Sequence, residues 1–112
     1  MSKKIVVIST SLRANSNSEA LAKEFVKGAE AAGNEVEYIS LKDKSIAFCI
    51  GCLACQSKGH CIFNDDALPI TEAVLNADVV VWATPIYYYE MAGQMKVLID
   101  RMNSMFPKDY KF

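Results

Sequence analysis

The chain has 112 residues, 52% of them apolar, with 12 Lys and Arg against 13 Asp and Glu, for a formal charge of −1. These values describe one domain at most, able to bury about 65% of its unfolded surface in a single core. So even a balance offers no field to hold nucleic acid or an anionic membrane surface.

The basic start Met1 to Lys4 leads into Ile5-Val6-Val7-Ile8, an apolar run too short for a signal peptide and without a small-residue cleavage site, so a cytoplasmic location is expected. Lys3 to Ser9 is β-branched without alternation, which predicts a central strand covered on both faces. It runs into Ser9-Thr10-Ser11-Leu12-Arg13-Ala14-Asn15-Ser16-Asn17-Ser18, after which a helix begins. A loop that leaves a strand's C-terminal end and enters a helix N-terminus meets free N–H groups and a positive dipole end, a setting for an anion. Hydroxyls, amides and one arginine suit a phosphate. No glycine lies between Met1 and Lys27, so neither GxGxxG nor Walker A is present. Ser16 and Glu19 also spell a capping box, which is compatible with phosphate binding.

Leu21, Phe25, Ala29 and Ala32 predict the apolar face of a helix over 19–32, stopped by Gly33. A second strand is expected over Asn34 to Leu41. Cys49, Cys52, Cys55 and Cys61 follow, spaced C-x2-C-x2-C-x5-C, with Gly51 and Gly59 available for turns of positive φ. Such crowding in a reducing compartment favours metal or redox chemistry over structural disulfides. Four thiolates suit a [4Fe–4S] cluster or a structural zinc, and the two-residue gaps resemble iron–sulfur spacing more than zinc knuckles. Redox-active thiols and cysteines packed as small apolar groups are the alternatives. His60 reads as a solvated loop residue, and Asp65 and Asp66 as caps for a helix over 66–76 with Pro69 in its first turn.

Asp78 to Ala83, with Val79-Val80-Val81-Trp82, predicts a third buried strand. The apolar stretch 78–93 is broken by Pro85 and Glu90 and falls short of the roughly 20 residues of a membrane span. Thr84-Pro85-Ile86-Tyr87-Tyr88-Tyr89 then leaves the strand's C-terminal end, and three consecutive tyrosines cannot all face one core. One ring free to lie against a flat ligand, or a tyrosine-rich surface loop at an oligomer contact, are the two readings. Met95, Leu98, Ile99, Met102 and Met105 predict a last helix ending before Pro107.

The order strand, helix, strand, long loop with helix, strand, helix is that of an α/β doubly wound parallel sheet in one domain over 1–112. A third strand so apolar wants neighbours on both edges, and ending the sheet there leaves an open edge. The sheet therefore reads as truncated after its third strand and helix, and a partner, such as another copy of the chain in a homo-oligomer, is expected.

Together the three loops resemble the flavodoxin-like NAD(P)H-dependent FMN reductases, and within them the iron–sulfur flavoproteins. Ser11, Arg13, Ser16 and Ser18, with Asn17 between, match the Ser-x-Arg-x-x-Ser-x-Thr/Ser loop with which that group holds the FMN phosphate. Pro85, Tyr87, Gly93, Gln94 and Lys96 match the segment whose first residues border the isoalloxazine. Cys49, Cys52, Cys55 and Cys61, followed by Asp65 and Asp66, match the compact motif of the iron–sulfur flavoproteins. Family members continue with two more strands, their helices and a third flavin loop. The resemblance implies FMN bound by Ser9, Ser11, Arg13, Ser16, Asn17, Ser18, Thr84, Pro85, Ile86, Tyr87 and Tyr88, and a [4Fe–4S] cluster on the four cysteines. The activity implied is an oxidoreductase that passes electrons from NAD(P)H or a protein donor to an acceptor, with no side chain needed as acid or base. A non-enzymatic metal-binding or assembly module is the reading from a different class.

Overall fold

A computed structural model of the chain describes residues 2–105. Strand β1 (Lys4–Ser9) pairs in parallel with β2 (Glu35–Ser40) on one side and β3 (Val79–Ala83) on the other, giving the order β2-β1-β3. Helix α1 (Asn17–Ala31) connects β1 to β2, while α2 (Ala54–Lys58) and α3 (Ala67–Leu75) lie between β2 and β3. A two-residue-per-strand hairpin, β4 (Ile86–Tyr87) with β5 (Glu90–Met91), precedes α4 (Gly93–Arg101) and a 3₁₀ turn over Met102–Met105. The doubly wound order expected from the sequence is therefore present. The last α-helix, expected to run to just before Pro107, ends at Arg101 and gives way to the tighter 3₁₀ turn, while Pro107 itself lies outside the described residues.

Burial explains why β1 organises the sheet. Val6, Val7 and Ile8 are inaccessible to solvent and Ile5 nearly so. Side chains alternate across a strand, so Val6 and Ile8 pack with Ile39, Leu41, Ala67, Ile70 and Leu98, while Ile5 and Val7 pack on the other face with Ala22. Each such side chain contributes roughly 1.5–3 kcal/mol by leaving water, an upper range because unfolded chains are partly compact.

Three expectations are corrected. The packing face of α1 is Ala22, Val26 and Ala29, and Leu21 is 74% exposed with Phe25 also exposed. The helix starts at the cap Ser16, whose Oγ accepts from Glu19 N at 3.2 Å, and its smaller face lies on Ile5 and Val7, which leaves Leu21 and Phe25 outward. Strand β3 is an edge among the described residues, so Val79 and Trp82 are exposed rather than buried. Along that edge runs an apolar groove lined by Val74, Leu75, Val80, Trp82, Ile99 and Met102. Finally, the segment after β3 is a hairpin whose two central residues, Tyr88 and Tyr89, have φ of 51° and 66°. Both positive values belong to the tight two-residue turn that matches strand twist, a conformation non-glycine residues adopt at a cost.

Candidate functional site

Parallel pairing sends the loops after β1, β2 and β3 out of the same end of the sheet. Thr10 joins two of them: its N–H donates to Ala83 O at 2.9 Å and its hydroxyl to the same oxygen at 3.2 Å. Gln94, near the start of α4, donates from Nε2 to Thr10 O at 2.6 Å. Thr84 Oγ1 donates to Pro85 O at 2.8 Å and accepts from Ala92 N at 3.0 Å, closing the base of the β4/β5 hairpin. The phosphate-type loop and the tyrosine segment are thus pinned to one another.

Within the first loop, Ser9, Thr10 and Ser11 are buried and Ser16 nearly so. Ser11 Oγ accepts from Arg13 N at 3.3 Å, and Asn15 takes a φ of 57°, folding the loop back over the end of α1. The hydroxyl of Ser9 is buried without a hydrogen-bond partner among the described residues. A buried orphan hydroxyl at a strand end, next to a helix N-terminus of 15-residue α1, fits an anionic group with its own acceptors. Ser16 performs its half of the capping box, but Glu19 does not reach back: its carboxylate faces Lys42 at 3.7 Å and Lys23 at 4.0 Å. Arg13, Asn17 and Ser18 stand at the solvent side of the same turn. In the second segment Ile86 and Tyr87 are exposed, and Tyr88 and Tyr89 stand 94% and 93% exposed with their rings edge to face. Flat apolar surface is therefore presented beside the hydroxyl-rich loop. Lys96, matched by the resemblance, is paired with Asp100 one helical turn on.

The cysteine segment carries one element that periodicity did not predict, α2, closed by Gly59 in the left-handed region with its N–H donating to Cys55 O at 2.9 Å. Gly51 also has positive φ, as its place between thiols suggested. Cys49, Cys52, Cys55 and Cys61 all line one small cavity of about 30 Å³, yet among the described residues no three metal-binding side chains are gathered closely enough to share an ion. The donor types, four free thiols beside the buried cation Arg101, suit iron–sulfur or zinc chemistry, although in this structure the thiols are not drawn together on one point. Phe48, just before Cys49, lines a cleft with Leu12 and Gln94, so the segment borders the other two loops. His60 is exposed with Nδ1 at 2.9 Å from Cys61 O, in line with its bland reading.

The two acids do not act as a pair of caps. Asp66 Oδ2 accepts from Ser45 N at 2.6 Å and leaves α3 without a side-chain cap. Asp65 accepts from Ala67 N at 3.2 Å and from Ala47 N at 2.8 Å, but its main partner is Arg101, which sequence reading missed. Burial pushes the Asp65 carboxyl up, and the Arg101 guanidinium with those N–H groups outweighs it, holding the group below the ordinary carboxylate value. The available signal was spacing, since Arg101 stands three residues after the buried Leu98 on an otherwise apolar face.

A family model described as NADPH-dependent FMN reductase matches residues 3–111. An iron–sulfur flavoprotein of Archaeoglobus fulgidus is 37% identical over 99 residues, covering 88% of this chain and 45% of that protein. Iron–sulfur flavoprotein MJ1083 of Methanocaldococcus jannaschii is 36% identical over 98 residues, covering 88% and 51%. Among solved structures, an NADH:FMN oxidoreductase superposes with a TM-score of 0.69 at 25% identity, covering 90% of this chain and 50% of that one. The chain spans about half the length of the curated relatives it matches. With the family model matched almost end to end on a sheet of the expected order, the chain belongs to the NADPH-dependent FMN reductase family.

Proposed function

We propose that the chain is the FMN-holding part of an oxidoreductase that takes electrons from NAD(P)H or a protein donor and hands them to an acceptor. The observation that carries the reading is the junction of the two loops, tied through Thr10, Ala83 and Gln94, over the orphan hydroxyl of Ser9. Ser9, Ser11, Ser16, Asn17 and Ser18 with Arg13 hold the phosphate at the N-terminus of α1. Thr84 and Pro85 fix the hairpin, and Ile86, Tyr87 and Tyr88 supply the surface for the ring. When bound, FMN supplies hydride and single-electron chemistry, and the protein's part is to bind, orient and tune it. Cys49, Cys52, Cys55 and Cys61 are the residues that would hold a [4Fe–4S] cluster, whose chemistry is single-electron relay. Four free thiols favour a reducing compartment, the cytoplasm, as the place of work. The free edge of β3 with its apolar groove favours an assembled form, a homo-oligomer in our reading.

The test is FMN titration of the whole chain, followed by flavin fluorescence. Arg13→Ala and Ser16→Ala are each expected to weaken binding by roughly 1–3 kcal/mol, the worth of a charge-assisted or buried hydrogen bond. Equal affinity in both variants overturns the assignment, and absence of FMN binding in the parent chain hands the reading to a metal-binding module.

A further inference from the structure

Arg101 is the least expected buried group of the fold. It is 2% exposed, and its guanidinium donates from Nη1 to Ala47 O at 2.9 Å and Asp65 Oδ2 at 2.7 Å. From Nη2 it donates to Asp65 Oδ1 at 2.9 Å and Phe63 O at 3.4 Å, with the Phe63 ring centroid 5.2 Å away. Ala47 and Phe63 stand two residues before Cys49 and two residues after Cys61. One guanidinium therefore ties together both feet of the segment that carries all four thiols, and Asp65 reinforces the knot by accepting from Ala47 N.

Two further observations turn this strap toward the thiols. Arg101 lines the same cavity as Cys49, Cys52, Cys55 and Cys61, and its Nε is buried with no hydrogen-bond partner among the described residues. From the following turn, Asn103 Nδ2 lies 3.9 Å from Cys55 Sγ. Hydrogen bonding to Asp65 pushes the Arg101 pKa up, so the guanidinium stays charged at the cavity. A buried ion pair is weak evidence for stability, because desolvation offsets most of the attraction. A donor left over on a cavity lined by four cysteines is better suited to a negatively charged group held there, since hydrogen bonds and cations at sulfur are among the levers that set cluster properties.

We propose that Arg101, oriented by Asp65, is the positioning residue of the cysteine site: it pins the two ends of the segment 48–62 at the cavity that the four cysteines line, and it keeps Nε as the donor for a sulfur-bound group. This rests on the reading of the four cysteines as one metal-binding set.

The experiment is anaerobic reconstitution of the whole chain with ferrous iron and sulfide, for the parent, Arg101→Lys, Arg101→Gln and Asp65→Asn. Iron retention against a chelator, visible absorption, reduction potential and FMN affinity are read on each. Arg101→Gln and Asp65→Asn are expected to retain iron about tenfold to a hundredfold less tightly, with FMN affinity kept and Arg101→Lys intermediate. In loaded samples the potential shifts down in Arg101→Gln, which removes a cation, and up in Asp65→Asn, which removes an anion; a merely structural pair gives no such opposite signs. Equal retention and equal potential in all four proteins overturn the proposal. So does joint loss of iron and FMN binding with Arg101→Lys no better than Arg101→Gln, which assigns the pair to folding alone. If the parent binds no iron, the metal reading fails and the strap is judged by thiol modification. Faster modification of the cysteines in Arg101→Lys and Asp65→Asn at unchanged FMN affinity upholds it, and equal rates overturn it.

Discussion

Replacing Arg101 by Met removes four donated hydrogen bonds and leaves Asp65 without its counter-charge at a side-chain exposure of 15%. Removing one partner of a buried pair typically costs about 3–5 kcal/mol, chiefly as the penalty of the charge left behind. Against a total stability of about 5–15 kcal/mol for a domain of this size, that is a large share. Asp65→Leu is expected to cost a similar amount, because the guanidinium then keeps only the carbonyls of Ala47 and Phe63. In the double variant Arg101→Met/Asp65→Leu neither charge remains, and only the carbonyls and the N–H groups of Ala47 and Ala67 lose partners, for about 1–3 kcal/mol. The cycle therefore closes with a coupling of about 3 kcal/mol or more, well above the level of an exposed ion pair. Urea unfolding followed by the single tryptophan, Trp82, measures all four corners. A coupling below about 0.5 kcal/mol, the worth of a surface pair, refutes the reasoning.

Because the Asp65 carboxyl lies below its ordinary value in the folded state, its stabilisation is fully present above about pH 4 and is lost as the pH falls through that depressed value. Urea midpoints taken at decreasing pH are expected to fall in this acid window, and less steeply in Asp65→Asn. Tyr89→Gly relieves a left-handed residue, worth about 1–2 kcal/mol, against about 0.5–1 kcal/mol of added chain entropy. A net gain of roughly 0.5–1 kcal/mol should raise the melting temperature, and a fall would show that the tyrosine side chain contributes more than its turn costs. Val79→Lys places a charge on the free edge of β3, so light scattering should report a smaller species than the parent chain, and an unchanged size removes that edge from the assembly.

The parallel order was legible because β1 is apolar at four successive positions and β3 at five, a signature no amphipathic helix shares, and because the intervening stretches carry helical spacing. Apart from the end of α4, element ends fell within about three residues for the same reason, since Gly33 and Asp78 punctuate the pattern. The face of α1 was not legible: Leu21 and Phe25 compete with Ala22 and Val26 at the same spacing, and only packing against Ile5 and Val7 selects the latter. The hairpin at Tyr88 and Tyr89 was hidden because such turns normally advertise themselves with Asn-Gly or Asp-Gly. Arg101 was hidden because a charged letter near a helix end reads as solvated, while its partners Ala47, Phe63 and Asp65 lie 36 to 54 residues away. The cysteine spacing placed the four residues around one cavity but, among the described residues, not within sharing distance of one ion, because side-chain convergence depends on the fold of the whole segment and not on spacing alone.

Strand β1 is closed against β3 by reciprocal bonds from Lys4 N to Asp78 Oδ2 and from Asp78 N to Lys4 O, across 74 positions of sequence. On a ribosome adding roughly 5–20 residues per second, β1 waits about 4–15 s for the partner that seals its second side. Meanwhile Ile5-Val6-Val7-Ile8 is the segment most exposed to mispairing with another nascent chain. The separation of 74 positions between the central strand and the partner on its second side thus makes co-translational shielding, rather than native stability, the stage at which substitutions in Ile5 to Ile8 would first be felt.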